Sequence, residues 1–191
     1  MKFAILSLPI LLICMMPLQN ASAKTNLGFN RVGVDAGLVD PEGPGSTLGL
    51  GAYADLGTLA PDVRLSSQLG YWSSTEEEFG NKATLSDITI GARTVYMFHM
   101  TSPKFQPYAG GGLSLHVFHE KVTIPAEDLG GGVIIPAMSA SDSVTKLGLD
   151  LGGGASTPIS QKTNLYGEFW YTAADIDQIS MKVGVSFQLS K

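Results

Sequence analysis

The segment Ile179-Ser-Met-Lys-Val-Gly-Val-Ser-Phe-Gln-Leu189 alternates apolar side chains with polar or small ones along its whole length. Because successive side chains of a β-strand point to opposite faces, a period of two predicts a strand with one apolar and one polar face. The same alternation recurs from residue 31 onward, and no convincing helical window interrupts it. The sequence therefore predicts an all-β fold.

Eight segments carry this alternation, and each is about long enough to cross a bilayer at a tilt, which takes roughly 9–11 residues. An even number of strands closes an up-and-down antiparallel meander into a barrel and leaves no exposed edge. The predicted strands lie at residues 31–38, 48–57, 63–71, 88–99, 112–117, 146–152, 165–171 and 179–189.

The predicted connections alternate in character. Short pieces join strands at residues 58–61, 100–103 and 158–162, whereas acidic loops join them at residues 40–45, 75–82, 123–142 and 174–177. Short turns at one end and longer loops at the other are typical of a transmembrane eight-stranded barrel in the outer membrane, with both termini in the periplasm.

Composition excludes several classes of protein. Lys and Arg number 12 against 17 Asp and Glu, so no basic face is available for nucleic acid. Hydrophobic residues make up 44%, too many for a disordered chain. The only cysteine, Cys14, can form neither an intramolecular disulfide nor a thiolate cluster for a metal.

The first 23 residues have the layout of a secretory signal peptide. Lys2 precedes an apolar run over residues 3–18, and Ala21-Ser-Ala23 provides a cleavage site. A membrane anchor is disfavoured because the run is short and contains two prolines. A lipoprotein signal at Cys14 is disfavoured because such signals have a small residue before the cysteine, whereas Ile13 is large. We expect a signal peptide at residues 1–23 and a single barrel domain at residues 24–191.

The polar face distinguishes a membrane barrel from a soluble one. It carries mostly Gly, Ser, Thr and Tyr, where a water-exposed face is expected to carry many Lys and Glu. Its five cations and four carboxylates are nearly balanced, which suits a narrow lumen because an unpaired buried charge costs several kcal/mol. These charges are Arg31, Asp35, Asp55, Arg64, Arg93, Lys146, Asp150, Glu168 and Lys182.

Aromatic residues predict two bands at the membrane interfaces, where headgroups meet water. We expect one band near the outer strand ends, from Tyr71, Trp72, Phe118, Trp170 and Tyr171, and one near the inner ends, from Phe29, Phe98, Phe105, Tyr108 and Phe187.

Two glycine triplets, at residues 110–112 and 152–154, predict a strand register. A hairpin symmetric about Gly132 places residue 111 opposite residue 153, with Leu115 opposite Leu149 and Ser114 opposite Asp150. A wall without side chains there leaves space for a bulky neighbour such as Tyr108. A phosphate-binding role is disfavoured because neither triplet lies between a strand and a helix.

The segments Pro107-Tyr-Ala-Gly-Gly-Gly-Leu-Ser-Leu115 and Val183-Gly-Val-Ser-Phe-Gln-Leu189 resemble the small eight-stranded outer-membrane barrels of the outer-membrane protein A and X type. The resemblance extends over the whole mature chain. It implies an outer-membrane location and assembly by periplasmic chaperones and the barrel-assembly machinery. The chain departs from the family's aromatic last residue, because Leu189-Ser190-Lys191 follow Phe187.

The residues that carry reactive chemistry are few. His116 is predicted to face the lumen with Ser114 and Asp150 nearby, while His99 and His119 lie near strand ends. Such a cluster could form a nucleophilic site, but a hydrogen-bonded lumen network is the favoured interpretation. We therefore expect no catalytic, cofactor-binding or metal-binding residues and no cofactor.

The acidic loops favour a solvated rim over a divalent-cation site that bridges to lipopolysaccharide phosphates. Their acids are Asp40, Glu42, Glu76, Glu77, Glu78, Glu127, Asp128, Asp142, Asp175 and Asp177. The apolar segment 132–138 is expected to extend the hairpin that contains it, rather than to dip into the barrel mouth or contact a partner.

These features favour a monomeric outer-membrane barrel with a structural or surface-interaction role and a filled polar lumen, in contact with membrane lipids and lipopolysaccharide. Two alternatives stay open: a small lipid-modifying enzyme of the outer membrane, and a soluble periplasmic ligand carrier of the lipocalin type.

Overall fold

The computed structural model describes residues 25–100, 104–128 and 134–189. The predicted signal peptide at residues 1–23 lies outside this range. Among the described residues, no helix is long and apolar enough to cross a membrane.

Eight antiparallel strands form a closed barrel, as the alternation predicts. Each strand pairs with its neighbours in the chain, and the last strand pairs with the first. Their bounds are β1 (Asn26–Pro41), β2 (Thr47–Ala60), β3 (Val63–Glu78), β4 (Asn81–Met97), β5 (Gln106–Ile124), β6 (Met138–Pro158), β7 (Thr163–Ala173) and β8 (Gln178–Gln188).

The closing ladder joins β1 and β8 without interruption, from Arg31 opposite Gln188 to Pro41 opposite Gln178. Phe187 lies opposite Val32 in this ladder, and both side chains are exposed on the outer wall. The alternating segment at the end of the sequence therefore provides the strand that closes the ring.

The predicted acidic loop at residues 75–82 is strand for most of its length. Residues 75–78 continue β3 and residues 81–82 begin β4, so the connection is the pair Phe79-Gly80, with φ values of 49° and 80°. Positive φ at both positions is typical of a two-residue hairpin turn. The predicted loop 40–45 is shifted to residues 42–46, whereas residues 174–177 form a connection as expected.

The hairpin between β5 and β6 is longer than predicted. Its strands reach Ile124 and start again at Met138, so the expected loop 123–142 is wrong in extent. Beyond them, Glu127 and Asp128 pair with Ile135 and Ile134. The predicted extension by residues 132–138 is therefore supported at 134–135, and residues 129–133 lie outside the described range.

The predicted register of this hairpin is wrong by two residues. Ala109 lies opposite Gly153, and Gly110 lies opposite Gly152. Leu113, not Leu115, lies opposite Leu149. The faces are nevertheless those predicted, because only an odd shift moves a side chain to the opposite face.

Cysteine pairs distinguish the two registers. We expect Leu113→Cys with Leu149→Cys to form a disulfide under mild oxidation, because directly opposed residues of an antiparallel pair lie within disulfide range. Leu115→Cys with Leu149→Cys is the matched control and should stay reduced. Non-reducing mass analysis of the folded protein measures both, and cross-linking of the control pair alone would contradict the register.

Four strands rise above the ring as a sheet. β2 pairs with β3 up to Gly49 opposite Trp72, and β7 pairs with β6 up to Ala173 opposite Leu149. Above these points β3, β4, β5 and β6 pair only with one another in the described residues. We call residues 73–78, 81–86, 119–124 and 138–143 the projecting sheet.

The two surfaces of the ring differ in polarity, as the alternation predicts. The outer wall exposes a nearly continuous apolar surface, whereas most of the buried charged and polar side chains point into the lumen. This arrangement is inverted relative to a water-soluble barrel and matches a barrel that faces lipid. Exposed residues of the wall include Val34, Leu38, Leu50, Leu69, Ile90, Leu113, Leu115, Leu147, Leu149, Phe169, Met181 and Val183.

Candidate functional site

The centre of the lumen is organised around Asp150 on β6, whose side chain is fully buried. Its Oδ2 accepts hydrogen bonds from Gln68 Nε2 at 2.8 Å and from Arg93 Nε at 3.2 Å. Its Oδ1 accepts from Thr172 Oγ1 at 2.7 Å and from Ser114 Oγ at 3.2 Å. Because Gln68 lies on β3 and Asp150 three strands away, this cluster crosses the lumen.

Arg93 links this cluster to a second carboxylate. Its guanidinium lies 3.9 Å from the centre of the Trp170 ring, a cation–π contact, and its Nη1 lies 4.0 Å from Glu168 Oε2. Glu168 also accepts hydrogen bonds from Tyr108 at 2.7 Å and from Trp170 Nε1 at 3.1 Å. One cation thus contacts two buried or half-buried carboxylates and offsets one of their two negative charges, which reduces their desolvation cost.

Four of the six remaining predicted lumen charges form ion pairs with one another, and the two exceptions are Arg31 and Lys146. Asp35 lies 3.6 Å from Lys182 Nζ and accepts a hydrogen bond from Tyr166 at 2.9 Å. Arg64 forms an ion pair with Asp55. Lys146 instead pairs with Asp175, on the connection between β7 and β8.

A second cluster lies nearer the projecting sheet. His116 is fully buried, with Nδ1 2.7 Å from Asp87 Oδ2 and Nε2 2.9 Å from Ser114 Oγ. Gln178 and Thr89 also lie within 3.3 Å of His116 Nδ1. Sequence reasoning predicted Ser114 and His116 here but missed Asp87, because the predicted fourth strand began at Ile88.

The order Asp87, His116, Ser114 is that of an acid, a base and a nucleophile. The surroundings leave little space for a substrate beside Ser114. Ser114 is only 1% exposed and already donates to Asp150. A Cβ on Gly148 would lie 2.8 Å from both Ser114 Oγ and His116 Nε2, so the β6 backbone occupies the adjacent space. The cluster pairs most of its buried polar atoms, which would otherwise be costly to bury, and leaves Asp87 Oδ1 without a hydrogen-bond partner among the described residues.

Four of the ten predicted interface aromatics are wrong in orientation: Trp72, Tyr108, Phe118 and Trp170 point into the lumen. Trp72 Nε1 donates to Gln178 Oε1 at 2.9 Å, and the Phe118 ring stacks on His116 with centroids 5.6 Å apart. Because tryptophan carries a donor, a polar lumen accommodates it as well as an interface does.

Tyr108 and the remaining predicted aromatics lie on opposite surfaces. Tyr108 points into the lumen, and a Cβ on Gly154 would lie 3.0 Å from its hydroxyl, so the predicted space beside the second glycine triplet is used by Tyr108. Exposed on the wall are Phe29, Tyr71, Phe98, Phe105, Tyr171 and Phe187. The bands at the two interfaces are therefore thinner than expected.

Two small cavities flank the central cluster. One has a volume of about 80 Å³ and includes Tyr53, Tyr108 and Glu168 in its lining. The other, of about 40 Å³, lies beside Trp72 and Gln178. Gln68 and Arg93 border both cavities, so they separate two spaces whose volumes correspond to only a few water molecules each.

The acids of the connections are dispersed. Asp40 accepts a hydrogen bond from Ser46, and Asp177 accepts one from Tyr171 at 2.6 Å. Glu77 lies 3.6 Å from Lys82 Nζ. Within the described ranges, no three or more His, Cys, Asp or Glu side chains are grouped so as to hold a metal ion.

The remaining two histidines lie outside the lumen. His99 Nε2 is 3.4 Å from Asp62 near the turn between β2 and β3. His119 Nδ1 is 2.7 Å from Ser143 Oγ on the projecting sheet. Neither histidine contributes to the lumen clusters.

Solved structures share this fold at low sequence identity. Neisserial surface protein A matches with a TM-score of 0.64 and 20% identity, over 86% of this chain and 99% of that one. A major outer membrane protein of Thermus thermophilus matches with a TM-score of 0.57 and 16% identity, over 85% and 100%. The attachment invasion locus protein Ail of Yersinia pestis matches with a TM-score of 0.50 and 12% identity, over 85% and 100%.

These likenesses concern the fold, which by itself does not determine function. No curated protein sequence matches the chain significantly. The family described as the outer membrane protein beta-barrel domain matches residues 6–188, almost the whole chain. With its closed eight-stranded ring and apolar outer wall, the chain belongs to this family and is a β-barrel protein of the outer membrane.

Proposed function

We propose that the protein is a closed outer-membrane barrel that acts through the surface it presents, and neither conducts solutes nor catalyses a reaction. The observation that carries this proposal is the cluster of Gln68, Asp150 and Arg93, which crosses the lumen between two small cavities. Because the family belongs to the outer membrane, the soluble periplasmic carrier is no longer an alternative.

The proposed topology follows from the connections. Short turns and both chain ends belong at the periplasmic end, and the projecting sheet belongs outside the cell. In this proposal residues 1–23 are a cleaved signal peptide, residues 24–191 are one domain, and the barrel is a monomer delivered by periplasmic chaperones and inserted by the barrel-assembly machinery. Membrane lipids and lipopolysaccharide surround it.

Conductance across a planar bilayer tests the closed lumen. The wild-type barrel is expected to give no unitary conductance steps, because charged side chains and their hydrogen bonds occupy the centre of the lumen. Arg93→Ala removes the side chain that borders both cavities and is expected to increase ion leakage. Stable single-channel conductance of the wild type, at a level typical of an open porin measured in parallel, would overturn the proposal.

A second experiment tests the enzyme alternative, which the order of Asp87, His116 and Ser114 favours. Ser114→Ala is expected to leave the mass profile of lipid A identical to that of cells with the wild-type protein. Its measurable effect should be on stability, lowering the free energy of unfolding by about 1–3 kcal/mol because His116 loses a buried partner. A lipid A species that depends on the Ser114 hydroxyl would establish catalysis instead.

A further inference from the structure

The projecting sheet has two chemically different faces. Side chains of directly opposed residues share a face, so the strand register assigns every position. One face continues the apolar outer wall, and the other looks over the barrel mouth. The outward face consists of three rows: Ser73, Ser86, His119 and Ser143; then Thr75, Thr84, Lys121 and Ser141; then Glu77, Lys82, Thr123 and Ser139.

Acidic residues are nearly excluded from this outward face. The first two rows contain none, and the third contains only Glu77, which lies 3.6 Å from Lys82. The face over the barrel mouth carries Glu76, Glu78, Glu120 and Asp142, with Glu120 directly opposite Asp142. Like charges directly opposite each other destabilise a sheet. Stability therefore does not explain why the acidic residues are concentrated on the face over the barrel mouth.

The outward rows begin where the apolar part of the outer wall ends. The row below them, Tyr71, Ile88, Val117 and Thr145, ends the apolar wall. At about 3.3 Å per residue, the three polar rows lie roughly 7, 13 and 20 Å farther along the strands. A sheet that continues the wall therefore passes through the headgroup region next to the bilayer.

The side chains of this face suit phosphate groups on sugars. Lys121, at the centre of the middle row, forms no ion pair or side-chain hydrogen bond with any described residue. Lys82 is also largely exposed, and its one partner, Glu77, is equally exposed. Ammonium groups bind phosphate, and hydroxyls both donate to and accept from saccharides. The surrounding hydroxyls are Ser73, Thr75, Thr84, Ser86, Thr123, Ser139, Ser141 and Ser143.

We infer that the outward face of the projecting sheet binds the phosphorylated saccharide headgroups of lipopolysaccharide in the outer leaflet, with Lys121 as the main phosphate contact. Its partner is thus the surrounding glycolipid itself, and all acids of the projecting sheet except Glu77 face away from those phosphates. This inference rests on the proposed topology, in which the projecting sheet lies outside the cell, and is independent of whether the lumen conducts.

A titration with a soluble headgroup tests the inference directly. Barrel in phosphatidylcholine nanodiscs is titrated with fully deacylated lipopolysaccharide, and methyl signals are followed by NMR. We expect signals of the outward Thr84 and Thr123 to shift, while those of Ala83 and Val122 on the opposite face stay in place. Lys121→Glu should weaken the apparent affinity about tenfold or more, because a phosphate contact becomes repulsive.

The controls separate this contact from general electrostatics. Lys104→Glu makes the same charge change at the other end of the barrel and should titrate like the wild type. The dephosphorylated saccharide should produce much smaller shifts. Equal affinity of Lys121→Glu and the wild type, equal shifts with the dephosphorylated saccharide, or shifts confined to Ala83 and Val122 would each overturn the inference. The conductance measurement reports on the lumen alone. A failure of the closed-barrel proposal is therefore distinguishable from a failure of the headgroup-binding inference.

Discussion

Replacing Asp150 with alanine is expected to lower the free energy of unfolding by about 3–5 kcal/mol, the usual cost of removing one partner of a buried ion pair. Asp150 receives four hydrogen bonds, from Ser114, Thr172, Gln68 and Arg93. The variant leaves all four donors without this acceptor in a lumen where water has little access. Unfolding by urea in phosphatidylcholine vesicles measures the change, with the buried Trp72 and Trp170 as fluorescence reporters.

The matched control is Asp175→Ala, which also removes an aspartate from an ion pair, but from an exposed one on the connection between β7 and β8. Asp175 pairs with Lys146 and is largely exposed, so its loss should cost less than about 1 kcal/mol. Adding Arg93→Ala to Asp150→Ala should cost less than the sum of the single changes, because both belong to one network. Additive effects, or equal effects of Asp150→Ala and Asp175→Ala, would contradict the central role of this cluster.

The alternation of the sequence is enough to predict the eight strands and the face on which most of their side chains lie. The lumen cluster is predictable in part, because the alternation of side chains between the two faces places His116, Ser114 and Asp150 on the lumen side. Asp87 was missed although it continues the polar series of Thr89 and Arg93, because a charged residue before Ile88 resembled the end of a strand. Partners from β3 and β7, such as Gln68 and Thr172, depend on the closure of the ring, which no local pattern specifies.

The strand register, the extent of the connections and the orientation of tryptophan were less predictable. In an antiparallel hairpin, a shift of two residues keeps every side chain on the same face, so the apolar pattern does not distinguish such registers. The pattern therefore allows Leu149 to lie opposite Leu115, whereas it lies opposite Leu113. Three consecutive glutamates at residues 76–78 predict a loop because they are unusual in a strand, yet in the projecting sheet all three are exposed and none has to be buried. Tryptophan is enriched at membrane–water interfaces, which predicts Trp72 on the outer wall. Its side chain instead points into the lumen, where Gln178 accepts a hydrogen bond from its indole N–H.

Leu113→Arg is expected to destabilise the barrel in a bilayer by about 2–4 kcal/mol, the cost of an arginine on the lipid face near the midplane. Leu113 is exposed on the outer wall and lies near the middle of the outward positions of β5, between Pro107 and His119. Its exposed side chain has no packing to lose, so the cost comes from placing a guanidinium in hydrocarbon. Urea unfolding in phosphatidylcholine vesicles gives the free energy directly.

Thr123→Arg is the matched control, because residue 123 lies on the same strand and the same face but beyond the apolar wall. There the added guanidinium stays in water or among headgroups, and the change should be within about 0.5 kcal/mol, as for most surface substitutions. A barrel whose apolar face met water would tolerate arginine equally at both positions. The difference between the two variants therefore measures the lipid contact itself, and a difference near zero would refute the assignment of this wall to the bilayer.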